Sequence, residues 1–235
     1  MPVITKQNVA KQLSEAFRHR EPTLARPHSA LVADFRVHER CTWPGRPIED
    51  VLTQRRSVRA FASSAITRSD VLGAIGAARD AEEAVWPPGR HGDIGLRMLI
   101  AAFNVDGLAK GLYGTREVST EPLSLDSAHV DILRKQYADA PVLILICADV
   151  NRACRDAGQA GYPAALIRAG TAGYAAWLWS ISAGLAGSVY GGASQHASAA
   201  GRQGDANLRH LFTVAIGMPA GAVSPRAEDA PGSLP

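Results

Sequence analysis

Residues 169–192 read AGTAGYAAWLWSISAGLAGSVYGG and carry no charge, and the first charged side chain after Arg168 is Arg202. A stretch of this kind has two structural solutions: a helix in lipid, or a helix enclosed by protein on all sides. Small residues at Ala169, Gly170, Gly173, Ala176 and Ala183 permit close backbone approach and suit either solution. The run is rich in glycine and hydroxyls, poor in large aliphatics, and has no Lys/Arg-rich flank, so it lacks what drives membrane insertion. The expectation is a long buried helix from about Ala164 to Ala186, with no membrane partner.

The rest of the chain supports a globular reading. Its 235 residues suffice for one sizeable core. The formal net charge of +3 is small and no block of like charge occurs, which argues against a nucleic-acid binder. Cys41, Cys147 and Cys154 have neither metal-ligand nor redox spacing, and an odd, scattered set points to a reducing cytoplasm. The start, MPVITKQNVAKQLSEAF, has no apolar h-region, so no secretory signal is expected.

Apolar spacing predicts a short amphipathic helix over 6–19 through Val9, Leu13, Ala16 and Phe17. The stretch up to about Pro47 is mixed in Pro, Arg and His and reads as an arm. A helix is expected to begin near Ile48 and end in RRSVRAF. Thr67–Asp70 resembles a capping box with Asp in the Glu/Gln place, opening a helix to about Ala84 that WPPGRHGD must stop. LRMLIAAFNV, PVLILICAD and HLFTVAIGMP read as buried strands, 127–139 as a helix, and DGLAKGLYG as turns. Separated strands among long helices predict an α+β domain, followed by a Pro/Gly/Ala-rich tail from Ala220.

Two polar constellations stand out. QRRSVRAF gathers Arg55, Arg56, Ser57 and Arg59, which suit phosphate binding but also suit an exposed helix C-terminus. GLAGSVYGG, 184–192, suits the close approach of a flat ligand but also a helix cap and turn. Taken singly, neither excludes the structural alternative.

Taken together, RRSVRAF, GLAKGLYG, YPAALIRAGTAGYAAWLWSISAGLAG with its following glycine pair, and FTVAIGMP resemble the nitroreductase-type FMN flavoproteins over residues 48–226. GLxxGLY and YxxxLIxAG further resemble the SagB-type branch, which includes thiazoline and oxazoline dehydrogenases. The resemblance implies an α+β nitroreductase-like fold with a central mixed or antiparallel sheet flanked by helices, in an intertwined homodimer. It divides the chain into an arm (1–46), an FMN-binding domain (47–226) and a tail (227–235). It implies phosphate contacts from Arg55, Arg56, Ser57 and Arg59, completed by Arg226, and backbone contacts to the flavin N5 edge from Gly191 and Gly192. On the same resemblance Tyr162, Tyr190 and His91 become candidate catalytic residues, with His91 or Asp93 able to stand in for the usual group at the pyrimidine edge. One departure is plain: where azoline dehydrogenases carry a Lys-Tyr pair, an ungapped reading finds Asp156 and Ala157. The implied activity is FMN-dependent oxidation of a peptide or carrier-bound intermediate in natural-product assembly. The alternatives are an NAD(P)H-dependent nitro- or ene-reductase, and a partner subunit of the same fold without cofactor.

Overall fold

A computed structural model of the chain describes residues 41–116, 119–123, 127–204 and 207–221. The first half contains α1 (Ile48–Gln54), β1 (Ile66–Thr67), α2 (Arg68–Val85), α3 (Pro88–His91), β2 (Arg97–Ala102), β3 (Val105–Asp106), β4 (Gly111–Arg116) and β5 (Ser119–Leu123). The second contains α4 (Ser127–Gln136), β6 (Val142–Asp149), α5 (Val150–Ala157), α6 (Gly161–Ser182), β7 (Ala186–Tyr190), α7 (Gln195–Gly204) and β8 (Leu208–Gly217), with a 3₁₀ turn at Gly158–Ala160.

PVLILICAD is apolar without alternation because β6 is covered on both faces. It lies inside a six-stranded sheet of order β5-β4-β2-β6-β8-β7, antiparallel at every pairing. Alternate side chains go to opposite faces: Ile144, Ile146, Val214 and Ile216 join α2 and α6, while Leu143, Leu145 and Ala215 join Val130 and Leu133 of α4 and Ala197 of α7. The result is an α+β fold of three layers, with β1 and β3 paired parallel apart from the main sheet. Burial of these aliphatics, at about 25 cal/mol per Å² of apolar surface, is the main favourable term holding the layers together.

The helix starts follow the sequence closely. Thr67 caps α2: its Oγ1 accepts the Asp70 N–H at 3.1 Å, and the Asp70 carboxylate accepts the Thr67 N–H at 3.1 Å. Pro88 does not simply stop the chain but opens the short α3, since the first turn of a helix needs no N–H from it. The long helix begins three residues earlier than expected and ends at Ser182, because Gly184 at φ 84° turns the chain into β7. Helix α6 packs closely on α2, and a Cβ at Gly73 would stand 2.1 Å from the Trp179 ring.

Two expectations need correction. The helix expected to end in RRSVRAF stops at Gln54, and Arg55–Phe61 leaves it as an extended segment bridged at Ser57 to Gly187 of β7 and at Phe61 to Pro219. GLYG is not a turn but the start of β4, paired with Leu99–Ala102 of β2.

Residues 41–46 strap across the two central helices. The Cys41 N–H donates to Asp80 Oδ2 at 2.6 Å, Trp179 Nε1–H to the Thr42 carbonyl at 3.1 Å, and the Ser182 hydroxyl to the Pro44 carbonyl at 3.0 Å. The expected helix over 6–19, Arg226 and the tail 227–235 lie outside the described residues.

Among the described residues, no helix is long and apolar enough to cross a membrane. The last two turns of α6 are buried, yet earlier positions leave Tyr162, Leu166, Ile167 and Tyr174 exposed, Ile167 by 57%. The helical part of the uncharged run is therefore enclosed by its own chain apart from Tyr174, and the exposed apolar side chains at 162, 166 and 167 lie just before it.

Candidate functional site

The sheet ends at β7, whose outer edge presents backbone groups without a ladder partner. The segment after α1 takes that edge. The Val58 N–H donates to the Gly187 carbonyl at 2.9 Å and Ser57 bridges Gly187 in parallel; further on, the Ala62 N–H donates at 2.9 Å to the carbonyl of Met218, just past β8. Gly187 itself lies under Trp177: a Cβ there would come within 2.7 Å of Trp177 Cδ1.

This pairing sets out the arginines. The Arg55 guanidinium carbon lies 5.0 Å from the Trp177 ring centroid and 5.9 Å from that of Tyr174. The Arg59 guanidinium carbon lies 5.9 Å from the Tyr190 centroid. Both are within the range of attraction between a cation and an aromatic face. Arg55, Arg56, Ser57 and Arg59 are exposed. Among the described residues no carboxylate pairs with any of these arginines.

Beyond Tyr190 the chain passes through Gly191 and Gly192, both exposed, and a Cβ at either would meet nothing within 4 Å. The Gly192 carbonyl accepts the Tyr137 hydroxyl at 2.9 Å, and the Tyr137 and Tyr190 rings stand 5.4 Å apart. Two buried polar atoms beside this segment, Trp177 Nε1 and Tyr190 Oη, have no hydrogen-bond partner among the described residues. Such groups are costly unless something satisfies them.

Behind the glycine pair, His210 is 1% exposed and accepts the Ser194 N–H at Nδ1, 3.0 Å away. Burial holds its pKa down, at about 4, so the ring is neutral at physiological pH. Burial likewise raises the Tyr137 phenol above its ordinary value. An open groove of about 500 Å³ adjoins this loop, lined by Ile132, Lys135, Gln136, Ala193, Gln195 and His196.

The remaining candidates are elsewhere. Tyr162 is the second residue of α6, fifteen positions before Trp177, which is about 22 Å along the helix axis. His91 closes α3 with its ring edge-on to Trp86, centroids 5.3 Å apart. The carbonyl of neighbouring Gly92 accepts from Arg168 at 2.9 Å. Arg168, 3% exposed, also donates from Nε to Glu82 Oε1 at 2.6 Å. Burial raises the Glu82 carboxyl above the usual range despite the opposing pull of Arg168. Asp93 is engaged by Arg152 at 3.0 Å. Within one chain, then, Arg55, Ser57, Arg59, Tyr190, Gly191 and Gly192 lie along one strand edge, and His91 and Tyr162 do not join them.

Tyr137 and His210 were not singled out in the sequence. A signal existed for His210, a titratable residue next to the apolar run of β8, but nothing local to Tyr137 indicates that its hydroxyl reaches Gly192.

The arrangement matches known structures. No protein-family model and no curated protein sequence matches the chain. Among solved structures, a Ralstonia eutropha protein described as a nitroreductase is 19% identical, with a TM-score of 0.57 over 86% of this chain and 97% of its own. An Anabaena variabilis protein described in the same way is also 19% identical, with a TM-score of 0.60 over 73% of this chain; the chain spans only 38% of its length. A chain of the E. coli microcin synthetase McbBCD complex with truncated pro-MccB17 bound is 15% identical, with a TM-score of 0.53 over 95% of this chain and 84% of its own. These likenesses, together with the antiparallel sheet and its two helical layers, give the chain the nitroreductase-like α+β fold.

Proposed function

We propose that the chain is an FMN-dependent oxidoreductase working as a homodimer on a peptide or carrier-bound substrate. The observation that carries this reading is the Arg55–Arg59 segment laid against β7, its arginines without acidic partners among the described residues, leading to a glycine pair with no described atom within 4 Å of where its Cβ atoms would stand. The orphaned Tyr190 hydroxyl and Trp177 indole N–H are further donors that a polar ligand would satisfy. These residues fit FMN. Arg55, Arg56 and Arg59 would hold its phosphate through charge-assisted hydrogen bonds, with Ser57 adding a neutral donor and Arg226 completing the set. Gly191 and Gly192 would offer backbone N–H groups to the ring edge, and Tyr190 would stand beside it. FMN, when bound, supplies hydride exchange at its N5.

The protein's own part is to orient the reactants and to supply charge complementary to the phosphate. Tyr162 and His91 enter the site only if a second copy brings them there. The exposed apolar face of α6, with Leu166, Ile167 and Tyr174, supports such an interface. The peptide reading draws support from the fold likeness to the microcin synthetase chain, whose complex holds a peptide. Free Cys41, Cys147 and Cys154 fit a reducing, cytoplasmic setting.

A reductase using NAD(P)H is favoured instead by the near full-length match to the Ralstonia nitroreductase fold. A cofactor-less partner subunit is favoured by Asp156 and Ala157 on α5, where azoline dehydrogenases would have Lys and Tyr. Purification separates the three. Yellow protein releasing about one FMN per subunit on denaturation supports either enzyme reading, and bleaching by NAD(P)H alone favours the reductase. Colourless protein that takes up no added FMN overturns both.

A further inference from the structure

The loop Gly191–Ser194 joins β7 to α7, and no regular element of its own holds it. Side chains from two other elements do. Tyr137, one residue past α4, donates its hydroxyl to the Gly192 carbonyl at 2.9 Å. His210, in β8, accepts the Ser194 N–H at Nδ1, 3.0 Å away. The opposite ring nitrogen stands 2.8 Å from the Phe212 carbonyl and 2.8 Å from Thr213 Oγ1. A carbonyl can only accept, so Nε2 carries the proton and Nδ1 is left free to take the Ser194 N–H. The tautomer is thereby set by β8 itself.

The two anchors also support each other. Their rings lie 5.9 Å apart, and Tyr137 packs on Tyr190 from the other side. The Ser194 hydroxyl donates to Gln136 Oε1 at 2.8 Å and accepts the Ala197 N–H at 3.3 Å, which ties the loop to the end of α4 and the start of α7. Peptide groups at both ends of residues 192–194 are therefore fixed from beneath, while the space above the glycine pair stays open.

We infer that Tyr137 and His210 are positioning residues that hold the Gly191–Ser194 loop in place before the cofactor arrives, pre-forming the backbone edge on which a flavin ring lies. The inference rests on the FMN reading above. A loop without these anchors would sample open states, and part of the binding energy of any ligand would go to ordering it.

The test is amide hydrogen exchange on the full chain, read with and without FMN. Tyr137→Phe removes one hydroxyl and keeps the ring. Loss of one hydrogen bond of ordinary strength predicts roughly fivefold faster exchange at Ser194 in the FMN-free protein, with the strands unchanged. His210→Gln, which loses the acceptor at the Nδ1 position, exposes Ser194 further. His210→Asn, whose amide oxygen reaches that position, restores protection. Added FMN slows exchange across Gly191–Ser194 in the wild type and re-protects the loop in Tyr137→Phe. The loss of FMN affinity in that variant is no larger than the gain in loop opening, because the two are linked.

Unchanged exchange in Tyr137→Phe overturns the inference. So does FMN that binds the wild type without slowing exchange in this loop, because the anchors then serve packing alone. Wild-type protein that takes up no FMN overturns the functional reading and the positioning role with it. That failure is recognisable, because Ser194 exchange still rises in Tyr137→Phe.

Discussion

The Arg55 guanidinium stands 5.0 Å from the centre of the Trp177 ring, so the first residue after α1 rests on the last third of α6. Four residues later Arg59 faces Tyr190 in the same way. The helix core and the candidate site thus meet along a single extended segment. Replacing Arg55 or Arg59 with alanine is expected to weaken FMN binding at least tenfold each, and the double variant is expected to purify colourless. Arg55→Lys will not restore binding fully, since an ammonium neither forks onto phosphate nor stacks flat on an indole. A flavin-fluorescence titration measures this, and undiminished binding in the double variant would show the phosphate lies elsewhere.

Gly187 is where that segment, β7 and α6 converge. A Cβ there would stand 2.7 Å from Trp177 Cδ1 and 3.1 Å from the Ala215 carbonyl oxygen. Backbone cannot yield on one side, so the indole must move on the other. Gly187→Ala is expected to cost about 1–3 kcal/mol, read as a lower denaturation midpoint at constant slope. Unaltered stability would mean Trp177 has room to shift.

The position of this site was only partly legible. The Thr67–Asp70 capping box and the PVLILICAD strand were readable because a cap needs its own turn and a doubly covered strand needs unbroken apolar residues. The arginine segment read equally well as a helix end, because its placement depends on the Val58 N–H bonding β7 and the Ala62 N–H bonding Met218 after β8, and a backbone bond leaves no mark on residue choice. GLYG in β4 was hidden for a related reason: its glycines signal turns, while its partner β2 carries the strand pattern. Tyr137 and Gly192, 55 positions apart in sequence, meet only through tertiary packing.

His210 makes stability depend on pH. Its folded pKa of about 4 lies below the ordinary 6.5, so between those values the unfolded chain binds a proton that the folded chain does not. Stability therefore rises with pH across that window and is fully present above 6.5. As pH falls from 6.5 to 4 the chain is expected to lose on the order of 3 kcal/mol through this group. His210→Asn should flatten that part of the profile in chemical denaturation series, and an unchanged slope would contradict it.

Arg168 and Glu82 form a buried pair that also holds the Gly92 carbonyl. Arg168→Met would leave the Glu82 carboxylate buried without its partner, a change expected to cost about 3–5 kcal/mol near neutral pH. The penalty should shrink in acid, because the Glu82 carboxyl is already raised by burial and takes up a proton more readily without Arg168. Pairing the change with Glu82→Leu should recover most of the loss. If the double variant is as unstable as the single one, the arginine acts chiefly through Gly92.

Ile167 tests the proposed dimer. It is 57% exposed on the N-terminal half of α6, flanked by exposed Leu166 and Tyr174, so a partner surface there would bury an apolar patch centred near it. An uncharged helix face of this kind gains little from water and much from a second apolar surface. Ile167→Glu places a charge in that contact without disturbing the chain's own core, and its folding midpoint should change little. Light scattering is expected to show a dimer for the wild type and a monomer for the variant, with FMN affinity falling in parallel if the second copy completes the site. A wild-type chain that is monomeric at high micromolar concentration would leave Tyr162 and His91 outside the site altogether.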